Sequence, residues 1–124
     1  MTKQNIDELE IYHRSLDLAD RIWHLVVEWT KFGRETLGYQ IVRASDGIAS
    51  NISAGYGRYF FKENRIHCYV ARGSLYETKT FLIKAKNRKL LTLQDYTSIC
   101  GDLEQLIAKL NAYIKYLEVQ IKQF

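Results

Sequence analysis

Proline is absent, glycine numbers only seven, and no run of about 18 uncharged apolar residues occurs anywhere in the 124 residues. So little punctuation excludes a chain of many short strands and turns, and leaves no composition for a linker or a low-complexity tail. The missing apolar run excludes a membrane-spanning helix. Two cysteines, Cys68 and Cys100, cannot staple a disulfide framework, and neither lies in a CxxC pair or beside histidines at metal-ligand spacing. A reducing compartment, the cytoplasm, is the expectation, because the first thirty residues carry six acids and no apolar run of signal-peptide length. What is present is 47% apolar and 26% charged residues, enough for one globular domain over residues 1–124 with a real core and too little for two.

A helical period runs through four stretches. In the first, Leu16, Ala19, Trp23, Val26 and Thr30 recur at steps of three and four, with Leu18, Leu25 and Phe32 as a second stripe. The spacing predicts a first helix that stops at Phe32-Gly33, where glycine tolerates a left-handed terminus. A second helix follows through Leu37, Ile41, Ala44, Ile48 and Ile52; it is rich in small residues, which weaken helix propensity, and Gly55 and Gly57 mark its end. Cys68, Ala71, Leu75, Thr78, Leu82 and Ala85 make one seam of a third helix, with the basic Asn87-Arg88-Lys89 cluster at the negative end of its dipole. Thr92 caps a fourth, with Asp95 at the third position, and its seam is Ile99, Leu103, Leu106, Leu110, Tyr113 and Leu117, widened by Ile107, Ile114 and Ile121. Four helices joined by short turns predict an all-α, antiparallel up-and-down four-helix bundle.

The formal charge is only +4, from 18 Lys and Arg against 14 Asp and Glu, but it is unevenly spread. Residues 1–28 hold three basic against six acidic residues, a net of −3; residues 58–89 hold nine basic against Glu63 and Glu77, a net of +7. Within the basic segment Arg65, Arg72, Lys79 and Lys86 stand seven apart, with Tyr69 and Tyr76 between them and Arg58 and Lys62 ahead. A helix drifts about 20° per heptad, so these side chains share one face at intervals of roughly 10 Å. Cations that neutralise phosphates, interleaved with rings that stack unpaired bases, suit single-stranded or looped RNA. The same pattern also fits a solvated helix face with half-buried tyrosines at a seam.

The ordered segments Leu37-Gly38-Tyr39-Gln40-Ile41-Val42-Arg43-Ala44, Ser50-Asn51-Ile52, Gly55-Tyr56-Gly57-Arg58 and Arg72-Gly73-Ser74-Leu75-Tyr76-Glu77 are similar to those of the four-helix-bundle family of 23S rRNA-intervening-sequence proteins. The match covers roughly Leu37 to Ala85, and the outer two helices agree in length and pattern. Ala54 departs from the acid that usually precedes the glycine, and Ala49 from a common proline. The resemblance implies a homo-oligomeric ring, typically a pentamer, with no enzymatic activity. Relatives include the accessory variability determinants of diversity-generating retroelements, basic pentamers that associate with a reverse transcriptase and bind nucleic acid. The partners it implies are therefore further copies of the chain, RNA or RNA–DNA, and a reverse transcriptase or other protein.

Arg43 and Glu77 occupy matching motif positions on adjacent helices, either as a functional polar pocket with Asn51 and Ser74 or as a structural interhelix ion pair; the ion pair is the expectation, because one partner buried alone would cost about 3 to 5 kcal/mol. Gly73 and Gly47 are expected to permit close helix contact. No catalytic residue, metal site or cofactor is expected. His13, His24 and His67 lie far apart and form no HExxH or Glu-xx-His motif; Asp46, Ser45 and Ser50 lack a histidine; Gly55-x-Gly57 lacks the lysine and threonine of a phosphate loop. Self-association is expected on physical grounds too, since Trp23, Trp29 and Phe32 on a lone bundle would expose a large apolar patch. A protein-interaction scaffold that uses the basic face without touching nucleic acid is the alternative function.

Overall fold

Apolar steps of three and four draw out four long helices. In the computed structural model, which describes residues 6–123 apart from the side chain of Asp7, they are α1 (Glu10–Val26), α2 (Tyr39–Tyr56), α3 (Phe61–Asn87) and α4 (Leu93–Gln123). A 3-10 turn, Ile6–Glu8, precedes α1; a helical turn, Lys31–Gly33, and a π-helix, Arg34–Gly38, run directly into α2. No strand occurs among the described residues.

The contact pairs set the arrangement. Along α1 and α4, Glu10 meets Lys109, Arg14 meets Gln105 and Arg21 meets Asp102, so one numbering climbs as the other falls. Asn64 with Tyr113, Arg72 with Asn111 and Lys79 with Glu104 do the same for α3 and α4. α2 packs on α1 and on α3, which leaves α1 and α3 at opposite corners of a four-helix bundle. At its centre Ile22, Leu37, Ile41, Ile48, Leu75, Leu82, Leu103 and Leu110 lose nearly all contact with solvent, each contributing about 1.5 to 3 kcal/mol of apolar burial.

The seams expected for α2 and α3 are buried at every position, as is that of α4 except for Tyr113 and the widening Ile121, both half-buried. The caps of α4 and α3 follow local chemistry. Thr92 Oγ1 accepts the backbone N–H of Asp95 at 3.0 Å. At the end of α3, Leu90 N–H bonds Ala85 O and Lys89 N–H bonds Lys86 O, with Lys89 in the left-handed conformation at φ 61°; this is the hydrogen-bond pattern glycine usually closes.

The first helix differs from its expectation. It stops at Val26, and Thr30 opens the next turn by accepting the N–H of Gly33 at 3.2 Å. Gly33 is right-handed, with φ −62°, and buried against Leu90, so it admits a neighbour rather than ending a helix. The buried face is Ile11, Ser15, Leu18, Ala19, Ile22 and Val26, whereas Leu16 and Trp23 face solvent. Ser15 makes this face possible by donating its hydroxyl to Ile11 O at 2.6 Å. Trp29, expected in an exposed patch, is buried; Trp23 and Phe32 are 52% and 74% exposed.

Glycine roles also shift. Gly47 does admit α3, since a Cβ there would touch Ser74 Oγ at 3.4 Å, but Gly73 has nothing within 4 Å and permits no contact within the chain. The tightest approaches are at Gly55, against Asn64 and His67, and at Gly38, where a Cβ would meet Val26 at 2.8 Å.

Candidate nucleic-acid interface

Heptad spacing places Arg65, Arg72, Lys79 and Lys86 on one edge of α3, and the bundle sets that edge against α4. Arg72 donates to Asn111 Oδ1 at 3.0 Å, Lys79 to Glu104 Oε1 at 2.7 Å, and the Lys86 ammonium lies 4.6 Å from the centre of the Tyr96 ring. Glu104 lifts the Lys79 ammonium above its ordinary value, through the hydrogen bond and then its charge. Asn111 and Tyr96 are uncharged, so they orient Arg72 and Lys86 without neutralising them. Arg58 and Lys62 are exposed ahead of the row.

The tyrosines divide. Tyr69 stands between two guanidiniums, with the Arg65 and Arg72 carbons 5.9 and 5.2 Å from its ring centre. Those cations occupy the ring that the sequence offered as a stacking platform, and cation–π attraction holds all three in register. Tyr76, half-exposed, carries no such neighbour on its ring among the described contacts. Arg65 is half-buried, and its Nε is shielded without a hydrogen-bond partner.

The α4 side of this interface was missed by reasoning on α3 alone. Glu104 and Asn111 are seven residues apart, so the same heptad test applied to α4 finds these two; Tyr96, eight before Glu104, lies one residue off that register.

The expected Arg43–Glu77 ion pair does not form. Both side chains are exposed, Arg43 donates to Tyr39 OH at 3.5 Å, and solvent removes the burial cost that would have compelled pairing. The two still share an open cleft of about 500 Å³ with Gln40, Ser74 and Phe81, while Asn51 donates to Gly47 O at 2.7 Å instead of joining them.

In the first turn of α3, Asn64 is a buried polar node. Its Nδ2 donates to Tyr113 OH at 3.1 Å, and its Oδ1 accepts from Cys68 Sγ at 3.6 Å. Burial pushes the Cys68 thiol up to about 11 and the Tyr113 phenol up to about 12. Among the described residues no set of three His, Cys, Asp or Glu side chains is placed to hold a metal ion, and no helix is long and apolar enough to cross a membrane.

A strand-free four-helix bundle with a basic edge on its third helix is the class these features define. The model of the 23S rRNA-intervening sequence protein family matches residues 7–112, and the chain belongs to that family. Curated proteins give no sequence match. Among solved structures, a protein of unknown function from the S23 ribosomal protein family of Bacteroides thetaiotaomicron, in a crystal structure at 1.70 Å, is similar with a TM-score of 0.76 and 24% identity, over 85% of this chain and 98% of that one. At that identity the likeness concerns the fold alone.

Proposed function

We propose that the protein is a non-enzymatic, homo-oligomeric nucleic-acid-binding module of the cytoplasm, with RNA or RNA–DNA as ligand and an accessory role beside a nucleic-acid-handling protein such as a reverse transcriptase. One observation carries this reading: of the four cations spaced along α3, Arg72, Lys79 and Lys86 are held in register by α4 and Arg65 by the Tyr69 ring of its own helix, and only Lys79 is neutralised. Cations fixed in place lose less freedom when phosphates arrive, and each contact releases condensed counterions from the polyanion. The family resemblance extends the proposal to a pentameric ring, which would repeat the edge around its perimeter and add avidity on a long strand.

Replacing Arg65, Arg72 and Lys79 together with glutamine tests it. The variant should keep its helical circular dichroism and its assembly mass while losing affinity for single-stranded RNA in a fluorescence anisotropy titration. Unchanged affinity would remove the α3 edge from any such role.

A second reading, a protein-interaction scaffold, draws on a different feature. An open, mostly apolar cleft of about 510 Å³ lies between α1 and the start of α2, walled by Trp23, Val26, Val27, Tyr39 and Val42 with Arg34, Glu35 and Arg43 also on its lining.

A further inference from the structure

We infer that the cleft between α2 and α3 that holds Arg43 and Glu77 is a guanine-selective site, where one unpaired base is read by its hydrogen-bonding edges. The inference rests on the nucleic-acid reading above and adds base choice to it, since contacts to phosphates position a strand and contacts to bases specify it.

The cleft, about 500 Å³ and open to solvent, is lined by Tyr39, Gln40 and Arg43 from α2 and by Ser74, Glu77 and Phe81 from α3. Opposite charges line it without pairing. Arg43 donates to Tyr39 OH at a long 3.5 Å, and Glu77 has no ion-pair partner among the described residues. A guanidinium offers a planar fork of donors and a carboxylate two acceptor oxygens, so a ligand that engages both must present a pair of acceptors beside a pair of donors. Guanine does so in one plane: O6 and N7 accept from an arginine fork, while N1–H and the N2 amino group donate to a carboxylate. Adenine turns an amino group toward the fork and a bare N1 toward the carboxylate, so both charges meet the wrong partner. Cytosine gives the carboxylate a single amino group, and uracil a single N–H.

The walls suit a flat ring better than an aliphatic zwitterion. Tyr39 is exposed and offers its ring for stacking, and Phe81 is half-buried on the α3 side. The Lys84 ammonium, 5.8 Å from the centre of the Phe81 ring, sets a cation beside the cleft for the nucleotide's own phosphate.

α3 links this cleft to the cation row. At 3.6 residues per turn, Tyr76, Gly73 and Glu77 lie about 40°, 100° and 140° around the helix from Arg72, and all three are exposed. The row is on the flank that meets α4 and the cleft on the flank that meets α2. Gly73, between them, weakens its helix by about 1 kcal/mol relative to alanine, yet nothing within the chain comes within 4 Å to need its missing side chain. A strand that crosses α3 from Arg72 to the cleft runs over that bare backbone and past the Tyr76 ring.

Four labelled oligouridylates that carry G, A, C or U at one central position test the site by fluorescence anisotropy. Native protein should bind the G strand about tenfold more tightly than the A strand, the lower part of the range for one bidentate pair. Glu77→Gln removes the double acceptor; Arg43→Lys keeps the charge and removes the fork. Each should abolish most of the preference with helical circular dichroism unchanged, because both side chains are exposed. Four strands bound alike, a preferred base other than guanine, or a preference that both variants retain would overturn the cleft assignment and leave the nucleic-acid reading standing. Calorimetry with guanosine monophosphate tells a strand-borne base from a free nucleotide. Saturable binding of it, and not of adenosine monophosphate, by a protein that ignores every strand would keep the guanine site and overturn the nucleic-acid reading. Binding of neither the strands nor guanosine monophosphate would overturn both.

Discussion

A Cβ on Gly55 would stand 2.7 Å from Asn64 Oδ1 and 2.8 Å from the Cβ of His67. The last turn of α2 therefore meets the first turns of α3 only because position 55 has no side chain, and that approach helps to seat Asn64 between Cys68 and Tyr113. Gly55→Ala should destabilise the fold by about 1 to 3 kcal/mol, as overpacking of a closed contact does. Urea titration followed by circular dichroism reads this as a lower midpoint with native helicity retained below it; an unchanged midpoint would mean the helices have room to part.

Lys89 holds the left-handed position after α3, at φ 61°. A lysine there is strained by contact of its Cβ with the following carbonyl, and glycine is not. Lys89→Gly should raise stability by about 1 kcal/mol, seen as a higher melting temperature, and a fall in that temperature would contradict the account of this cap.

Cys68 is buried with its thiol pushed up to about 11, whereas Cys100 is half-buried. At pH 8 an alkylating reagent should modify Cys100 first and reach Cys68 only as the chain unfolds, because the thiolate is the reacting form. The linkage has a definite sign. A raised folded-state value means that the folded chain holds its proton longer, so this stabilisation is complete below the ordinary thiol value of 9.0 and is lost as pH rises through about 11. Tyr113, raised from 10.0 to about 12, acts in the same direction over a slightly higher window. Cys68→Ala should flatten the fall in stability above pH 9, measured by urea midpoints across that range.

Lys79 is the one member of the α3 row whose charge is met by an acid, Glu104 at 2.7 Å. Glu104→Gln should free it for a phosphate, tightening binding to single-stranded RNA and steepening the slope of log affinity against log salt by about 0.7. Equal slopes for the two proteins would show that Lys79 is not part of the interface.

Much of this was legible in the sequence where one helix decides the outcome. The seams through Ile41, Ile48 and Ile52, or through Cys68, Leu75 and Leu82, are single stripes of apolar residues, and the burial of each follows from spacing. α1 was misread because two stripes overlap and the true one contains Ser15, a polar residue made acceptable by a bond to its own helix. Thr30 outweighed Gly33 as the boundary signal because a hydroxyl cap acts through a definite hydrogen bond, whereas glycine only permits a stop. The cation row was visible from its heptads. Tyr69 between Arg65 and Arg72, four before and three after it on one helix, follows from that spacing. The partners Tyr96, Glu104 and Asn111 come from another helix, and only the packing of α3 on α4 reveals that Lys79 is neutralised. Arg43 and Glu77 show the limit of motif reasoning: shared position on adjacent helices brought them to one cleft but not into contact.

The salt dependence of binding to a single-stranded RNA, compared between native protein and the Arg65→Gln, Arg72→Gln, Lys79→Gln triple variant, tests the central claim most directly. Each phosphate contact to a single strand contributes about 0.7 to the slope of log affinity against log salt. The account predicts salt-sensitive micromolar or tighter binding by the native protein, with a slope about 1.4 units shallower in the triple variant, because Arg65 and Arg72 are the two of these cations not already met by an acid. Absence of salt-sensitive binding by the native protein to any RNA or DNA at micromolar concentration would contradict it.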